Sequence, residues 1–167
     1  GLSEDVKHIF SVTYTDPDAM SVEELAKSAE EVIRAEGKSL STYPPPLGHQ
    51  GLRDFVASEL EINRGIDVSA ENIFLSSGAG GACQTIVDAF IDPGDVVLMD
   101  QFCYHGSLNM FMKKGAHLVH VDMDQDGINI DSLREAINDQ IGKGTKPKLI
   151  YTIPVYHNPT GITLSMD

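Results

Sequence analysis

The chain has 167 residues, of which 41% are hydrophobic, and its formal net charge is −13 at neutral pH. This length supplies one hydrophobic core of ordinary domain size. The acidic balance argues against nucleic acid or an anionic membrane surface as a partner, because binding to either requires clustered lysine and arginine.

The two cysteines, Cys83 and Cys103, are too few for a disulfide framework and lack C-x-x-C spacing. They favour a reducing compartment. The sequence shows neither a signal peptide nor an apolar run approaching the roughly 18 residues of a membrane span. We therefore expect a cytoplasmic protein.

The first predicted elements are two helices. Ser21 and Glu24 have the spacing of a capping box, an apolar face follows, and Gly37 ends the first helix. The loop "YPPPLGHQG" excludes regular structure. Helical spacing returns after the loop at Leu52, Phe55, Val56 and Leu60.

Strands and helices alternate from Ile73 onward. The predicted strands are "IFLS", "VVLMD", "HLVHVDMD" and "KLIYTIP". One helix follows "SGAGG", and another is predicted to be capped by Asp131. Continuous apolar strands alternating with helices indicate an α/β fold, with a mostly parallel sheet covered by helices on both faces.

The stretch "FLSSGAGGACQ" places a glycine-rich turn between a strand and a helix. Free N–H groups and the positive end of the helix dipole converge there, which suits a phosphate group. As a dinucleotide fingerprint it is weak, because Cys83 stands where a third glycine or alanine belongs. Alternatively, the glycines serve only close packing of helix on sheet.

Two further segments follow strands at the edge where open α/β sheets bind ligands. In "DQFCYHGSL", Tyr104 either stacks on a flat ring or belongs to the rim of the core. In "PVYHNPTG", the proline holds Asn158 in extended backbone, so its amide either donates to an oxyanion or belongs to an ordinary Asn-Pro turn.

Taken together and in this order, these three features resemble the fold-type I pyridoxal-phosphate enzymes, specifically the class I/II aminotransferase family. The resemblance covers about residues 40–165 and includes "TYPPPLGHQGLRDFVA", which is similar to a tyrosine–proline–glycine–leucine–arginine segment of that family. It implies an N-terminal segment and helix at residues 1–40. Residues 41–167 would then be a partial, truncated large domain that binds pyridoxal 5'-phosphate and ends just after "NPTG".

The resemblance also implies roles for individual residues. Gly78, Ala79 and Gly80 would hold the cofactor phosphate through backbone N–H groups. Tyr104 would stack on the pyridine ring. Asn158 would hydrogen-bond the phenolic oxygen and tune the cofactor electronically. The residues after Asn158 would shape the turn without chemistry of their own.

The partners implied by the resemblance are an amino acid, a 2-oxo acid and a second copy of the chain. Tyr43 would reach across a homodimer interface to the phosphate bound by the neighbouring subunit. The expected reaction is transfer of an amino group between the two substrates.

Three parts of the family site lie beyond "NPTG". They are the lysine that forms the Schiff base, the aspartate at the pyridinium nitrogen and the arginine for the substrate carboxylate. No lysine of this chain follows the expected strand, so no catalytic residue is assigned. The lysines are Lys7, Lys27, Lys38, Lys113, Lys114, Lys143, Lys146 and Lys148.

Two alternatives to aminotransferase chemistry stay open. One is another pyridoxal-phosphate reaction on the same fold, such as that of a lyase or decarboxylase. The other is a non-catalytic fragment that binds a partner chain. Sequence before "NPTG" does not separate the two enzymatic readings.

Two polar features have no assigned function. His157 either lines the site beside Asn158 or faces solvent. Asp122, Asp124, Asp126 and Gly127 resemble the start of a calcium loop, but the required glutamate is replaced by leucine, so we interpret them as a solvated turn.

Overall fold

The computed structural model describes residues 16–165. The chain divides into two compact units, of which one ends at Gln50 and the other begins at Gly51. In the first unit, short 3-10 turns at Pro17–Ala19 and Gly37–Ser41 flank helix α1 (Val22–Glu36). Ser21 is the N-cap residue as predicted, but its side chain makes no cap hydrogen bond, so the predicted capping box is not formed.

Helix α2 (Gln50–Arg64) begins at the boundary, and a 3-10 turn at Ala70–Asn72 follows it. The buried Arg53 side chain ties α2 to this turn by donating from Nη1 to the Ala70 carbonyl at 2.9 Å. The strand predicted over Ile73–Ser76 is wrong for this structure. Ile73 has extended backbone, but its segment pairs with no strand among residues 16–165, and a strand requires a ladder partner.

The second unit contains a parallel sheet of three strands in the order β2-β1-β5. These strands are β1 (Val96–Asp100), β2 (His117–Val121) and β5 (Leu149–Tyr151). Every residue of the central strand β1 is buried, as expected for a strand covered on both faces.

Besides α2, this unit contains the helices α3 (Gly78–Phe90), α4 (His105–Lys114) and α5 (Ile130–Gly142). Val97 and Met99 of β1 belong to a core cluster with residues of α3 and α4. Val96 and Leu98 belong to a second cluster, against which α5 packs. The predicted α/β sheet with helices on both faces is therefore confirmed.

Two helix details differ from the sequence pattern. Helix α4 occupies a segment to which no element was assigned, and its C-cap residue is Gly115, whose φ of +83° is in the left-handed region. The N-cap of α5 is Asn129 and not Asp131, because the Asn129 side chain accepts from the Ser132 N–H at 2.9 Å. The helix therefore starts earlier than predicted.

The acidic stretch forms a hairpin of β3 (Met123–Asp124) and β4 (Gly127–Ile128). Asp124 accepts from the Asp126 N–H at 2.8 Å and from the Asn129 amide at 2.9 Å. The predicted turn is confirmed. No helix in the described part of the chain has the length and apolar character needed to cross a bilayer.

Candidate functional site at the carboxyl edge of the sheet

Tyr104 and Asn158 share one edge of the sheet. Tyr104 follows β1 and is the N-cap residue of α4, whereas Asn158 lies in the loop after β5. Strands β1 and β5 are parallel neighbours with Met99 opposite Tyr151, so their carboxyl ends meet at the same edge. The structure thus brings together two of the predicted site segments.

The start of α3 presents free backbone donors. Gly78 has a φ of +72°, and its N–H donates to the Ser76 carbonyl at 2.9 Å. No acceptor outside the helix within residues 16–165 takes the N–H groups of Ala79 or Gly80, as expected for the first turn of a helix. The donors available to an anion are therefore those after Gly78.

This helix start lies beside α4. A Cβ atom built on Gly80 would meet Met110 of α4 at 3.7 Å, which is ordinary contact, whereas a Cβ on Gly78 would meet nothing within 4 Å. The turn is therefore open on the side of Gly78. The free N–H groups and the dipole of a helix of 13 residues make this position attractive to a phosphate.

The Tyr104 ring lies against the backbone of Gly106. A Cβ on Gly106 would lie 2.8 Å from Tyr104 Cζ, closer than real Cβ atoms come, and 3.0 Å from its hydroxyl oxygen. The adjacent His105 ring is tilted by 58° at a centroid distance of 4.8 Å. The tyrosine is 42% exposed, so part of its ring is available to a ligand.

Beneath the Asn158 loop lies a buried acid–imidazole pair that the sequence analysis did not assign. Asp100, the last residue of β1, is 0% exposed, and His157 is 3% exposed. Asp100 Oδ2 accepts from His157 Nε2 at 3.2 Å and from the Ile153 N–H at 3.3 Å. The second possibility raised for His157, a solvent-facing side chain, is therefore wrong.

The other ring nitrogen of His157 is also engaged. His157 Nδ1 lies 3.0 Å from Thr160 Oγ1, which accepts from the Ile162 N–H at 3.3 Å. Thr160 was expected only to shape the turn. It instead links the loop backbone to His157, and His157 links it to the central strand.

The surroundings of Asp100 are poor in hydrogen bonds and rich in titratable groups. Within the described residues, Asp100 Oδ1 has no hydrogen-bond partner. Burial raises the pKa of the Cys103 thiol, and the Asp100 charge adds to this increase. Burial also raises the pKa of the Tyr151 hydroxyl, although a hydrogen bond of 2.7 Å with Ser107 acts in the opposite direction.

These shifts predict a loss of stability at alkaline pH. Cys103 and Tyr151 are neutral when protonated, and their raised pKa values mean that the folded state holds these protons more tightly than the unfolded state. Stability is therefore full below the ordinary pKa values and falls as pH rises through the raised ones. We expect urea midpoints to fall from about pH 9 upward, and less steeply in Tyr151→Phe. Equal slopes in both proteins would contradict this.

The lysines of the second unit lie at the opposite edge. Lys148 directly precedes β5 and pairs with Asp95, the residue before β1, at 3.7 Å. Lys114 ends α4, the helix that returns from the carboxyl edge. The five residues of β1 separate the two edges by about 15 Å, at roughly 3.3 Å per residue. Lys113, Lys143 and Lys146 likewise lie at or after the C-terminal ends of α4 and α5.

The remaining predicted cofactor residue, Tyr43, lies in the unit that ends at Gln50 and is 100% exposed. Lys27 and Lys38 belong to the same unit, and Lys7 lies outside the described residues. The predicted cofactor residues on the carboxyl edge therefore all belong to the second unit.

A sequence model of the family "Aminotransferase class I and II" matches residues 10–167. The chain belongs to the class I and II aminotransferase family. It is 29% identical over 149 residues to aromatic-amino-acid aminotransferase 1 of Thermococcus litoralis, a match covering 89% of this chain and 36% of that protein. It is 30% identical over 145 residues to 2-aminoadipate transaminase of Thermus thermophilus, covering 87% and 34% respectively.

Solved structures agree with this assignment. An archaeal alanine:glyoxylate aminotransferase is 40% identical with a TM-score of 0.85, over 90% of this chain and 37% of that one. The α-aminoadipate aminotransferase LysN of Thermus thermophilus, complexed with N-(5'-phosphopyridoxyl)-L-leucine, is 28% identical with a TM-score of 0.76, over 90% and 36%. The chain thus spans about a third of the length of these relatives.

Proposed function

We propose that this chain supplies the cofactor-binding edge of a pyridoxal-phosphate-dependent aminotransferase, which moves an amino group from an amino acid to a 2-oxo acid. The observation that carries the proposal is the shared edge itself. Tyr104 and Asn158 follow adjacent parallel strands, and the free donors at the start of α3 lie beside α4. Relatives of this family include one whose structure holds a phosphopyridoxyl group.

The residues present fit this cofactor. The unused N–H groups of Ala79 and Gly80 would hold its phosphate, with Gly78 providing the open turn. The partly exposed Tyr104 ring would cover one face of the pyridine ring. No hydrogen bond among residues 16–165 uses the Asn158 side chain, which is exposed and free to donate to a phenolic oxygen. When bound, the cofactor supplies an electron sink for the bond broken at the substrate α-carbon.

The chain's own residues bind and orient in this proposal, but they do not turn over substrate. The lysines of the second unit lie at the amino ends of the strands, away from Tyr104 and Asn158. We therefore propose binding without transamination for residues 1–167 alone. The proposal also includes a cytoplasmic homodimer in which the exposed Tyr43 meets the phosphate bound by the partner subunit.

Replacing Asn158 by alanine is expected to lower the affinity for pyridoxamine phosphate about tenfold. This corresponds to the loss of about 1.4 kcal/mol from one hydrogen bond to a charged oxygen. Pyridoxamine phosphate is the suitable probe because it needs no lysine for binding. Calorimetric titration measures the affinity, and Asn138→Ala, an exposed asparagine of α5, is the matched control. Absence of binding by the unaltered chain, or equal affinity in Asn158→Ala, would overturn the proposed function.

Borohydride reduction with an equimolar amount of pyridoxal phosphate tests the second half of the proposal. We expect no lysine of this chain to be labelled selectively in peptide mass maps. Stoichiometric labelling of one lysine would show that the chain completes a covalent site by itself.

A further inference from the structure

We propose that Asp100, His157 and Thr160 form a positioning relay that aims the Asn158 side chain at the cofactor. This inference rests on the proposed function. It gives a function to three side chains that would not themselves contact the cofactor. They are positioning residues, and the residue they orient is Asn158.

The hydrogen bonds of the relay run in one direction. A carboxylate can only accept, so His157 Nε2 donates to Asp100 Oδ2 over 3.2 Å. Thr160 Oγ1 accepts from the Ile162 N–H, and in the relay its own O–H donates to His157 Nδ1 over 3.0 Å. The relay therefore assigns His157 the tautomer with hydrogen on Nε2.

The relay is the anchor of an otherwise exposed loop. His157 is the only buried residue from Pro154 to Gly161. Its backbone is held as well, because its N–H donates to the Ile162 carbonyl at 2.8 Å and its carbonyl accepts from the Gly161 N–H at 2.6 Å. Asp100 lies on the central strand, whose residues are all buried. His157 thus connects the loop to the fully buried central strand.

Asn158 needs such an anchor because no side-chain hydrogen bond within residues 16–165 holds its amide. The direction of that amide depends on the backbone of the neighbouring residue. That neighbour is His157, and the residue before it, Tyr156, has a φ of +49°, in the left-handed region that a bulky side chain rarely adopts. The Tyr156 N–H donates to Thr163 Oγ1 at 3.2 Å, and the contacts of His157 hold the residue that follows.

A matched pair of variants separates the two ring contacts. In His157→Gln the amide nitrogen occupies the place of Nε2 and keeps the donor to Asp100. In His157→Asn the amide occupies the place of Nδ1, so the contact with Thr160 is kept and the donor to Asp100 is lost. We expect His157→Asn to lower the affinity for pyridoxamine phosphate about tenfold, whereas His157→Gln should change that affinity less than about twofold. Asn158→Ala is the reference for loss of the whole contribution of the Asn158 side chain.

Affinity is measured on folded protein, with urea midpoints determined in parallel, so a purely structural role would change the midpoint without changing the affinity. Equal affinities in the two variants would overturn the relay, whether both are retained or both are lost. If His157→Asn does not fold, Thr160→Val takes its place, with an expected loss of about threefold, and unchanged affinity would then overturn the relay.

A second readout does not depend on the cofactor. Nitrogen-15 NMR of the histidine rings should show His157 with hydrogen on Nε2 only, with the signal assigned by its absence in His157→Gln. Hydrogen on Nδ1 would overturn the relay. If the unaltered chain fails to bind pyridoxamine phosphate, the proposed function fails, and the role in aiming Asn158 fails with it. If the unaltered chain binds pyridoxamine phosphate but His157→Gln and His157→Asn have equal affinity for it, the relay is wrong and the proposed function stands.

Discussion

His157→Leu is expected to lower the free energy of unfolding by about 2–3 kcal/mol, because it removes a hydrogen-bond donor from a buried charged acceptor. Leucine fills much of the space of the imidazole but donates nothing. Asp100 Oδ1 already has no hydrogen-bond partner among residues 16–165, so Oδ2 would keep only the Ile153 N–H. A fully buried carboxylate would then be left with one hydrogen bond.

Urea unfolding measures this change, and His117→Leu is the matched control because His117 is exposed on β2 of the same sheet. The control should shift the free energy of unfolding by no more than about 0.5 kcal/mol. A similar small shift in His157→Leu would contradict a stabilising role for the pair. Loss of soluble protein in His157→Leu but not in His117→Leu would agree with the expected size of the effect.

The Asp100–His157 pair shows why part of the site could not be predicted from the sequence. Asp100 ends an apolar strand and His157 follows another, so local patterns place each residue correctly. Their contact depends on β1 and β5 being direct neighbours, although β2 lies between them in the chain. Sequence patterns give strands and their order along the chain, but not their order across the sheet. A polar residue at the end of a continuous apolar strand was the available signal for Asp100.

The elements that could be predicted are those with strong local chemistry. The apolar run of β1, the glycine turn before α3 and the asparagine–proline turn are local patterns, and the structure contains all three. The strand predicted at Ile73–Ser76 failed because pairing is not a local property. The predicted N-cap of α5 was wrong because Asn129 and Asp131 are both favourable N-cap residues. Only the hydrogen bond from the Ser132 N–H to Asn129 distinguishes them.

The proposed phosphate site is an intermediate case. The glycine pattern located the helix start, but it could not show which N–H groups remain free. The N–H of Gly78 is used by the Ser76 carbonyl, which leaves the N–H groups of Ala79 and Gly80 as the available donors. Such an assignment requires the hydrogen bonds of the turn itself.

Gly106→Ala is expected to lower the affinity for pyridoxamine phosphate about tenfold, a loss of about 1.4 kcal/mol in binding free energy. The protein should remain as stable as before or become slightly more stable. The added methyl group would overlap the Tyr104 ring, which is partly exposed and can swing outward. Alanine is also a better helix former than glycine, by about 0.5–1 kcal/mol. Affinity and stability should therefore move in opposite directions.

Gly142→Ala is the control, because Gly142 ends α5 and a Cβ there would meet nothing within 4 Å. It should not change the affinity. Tyr104→Ala should lower the affinity for pyridoxamine phosphate to the same extent as Gly106→Ala. The double variant should lose little further affinity, because both changes remove the same stacked ring. Additive losses would show that Gly106 acts on the cofactor by another route, and unchanged affinity in Gly106→Ala would show that the ring position seen here is not the one that binds.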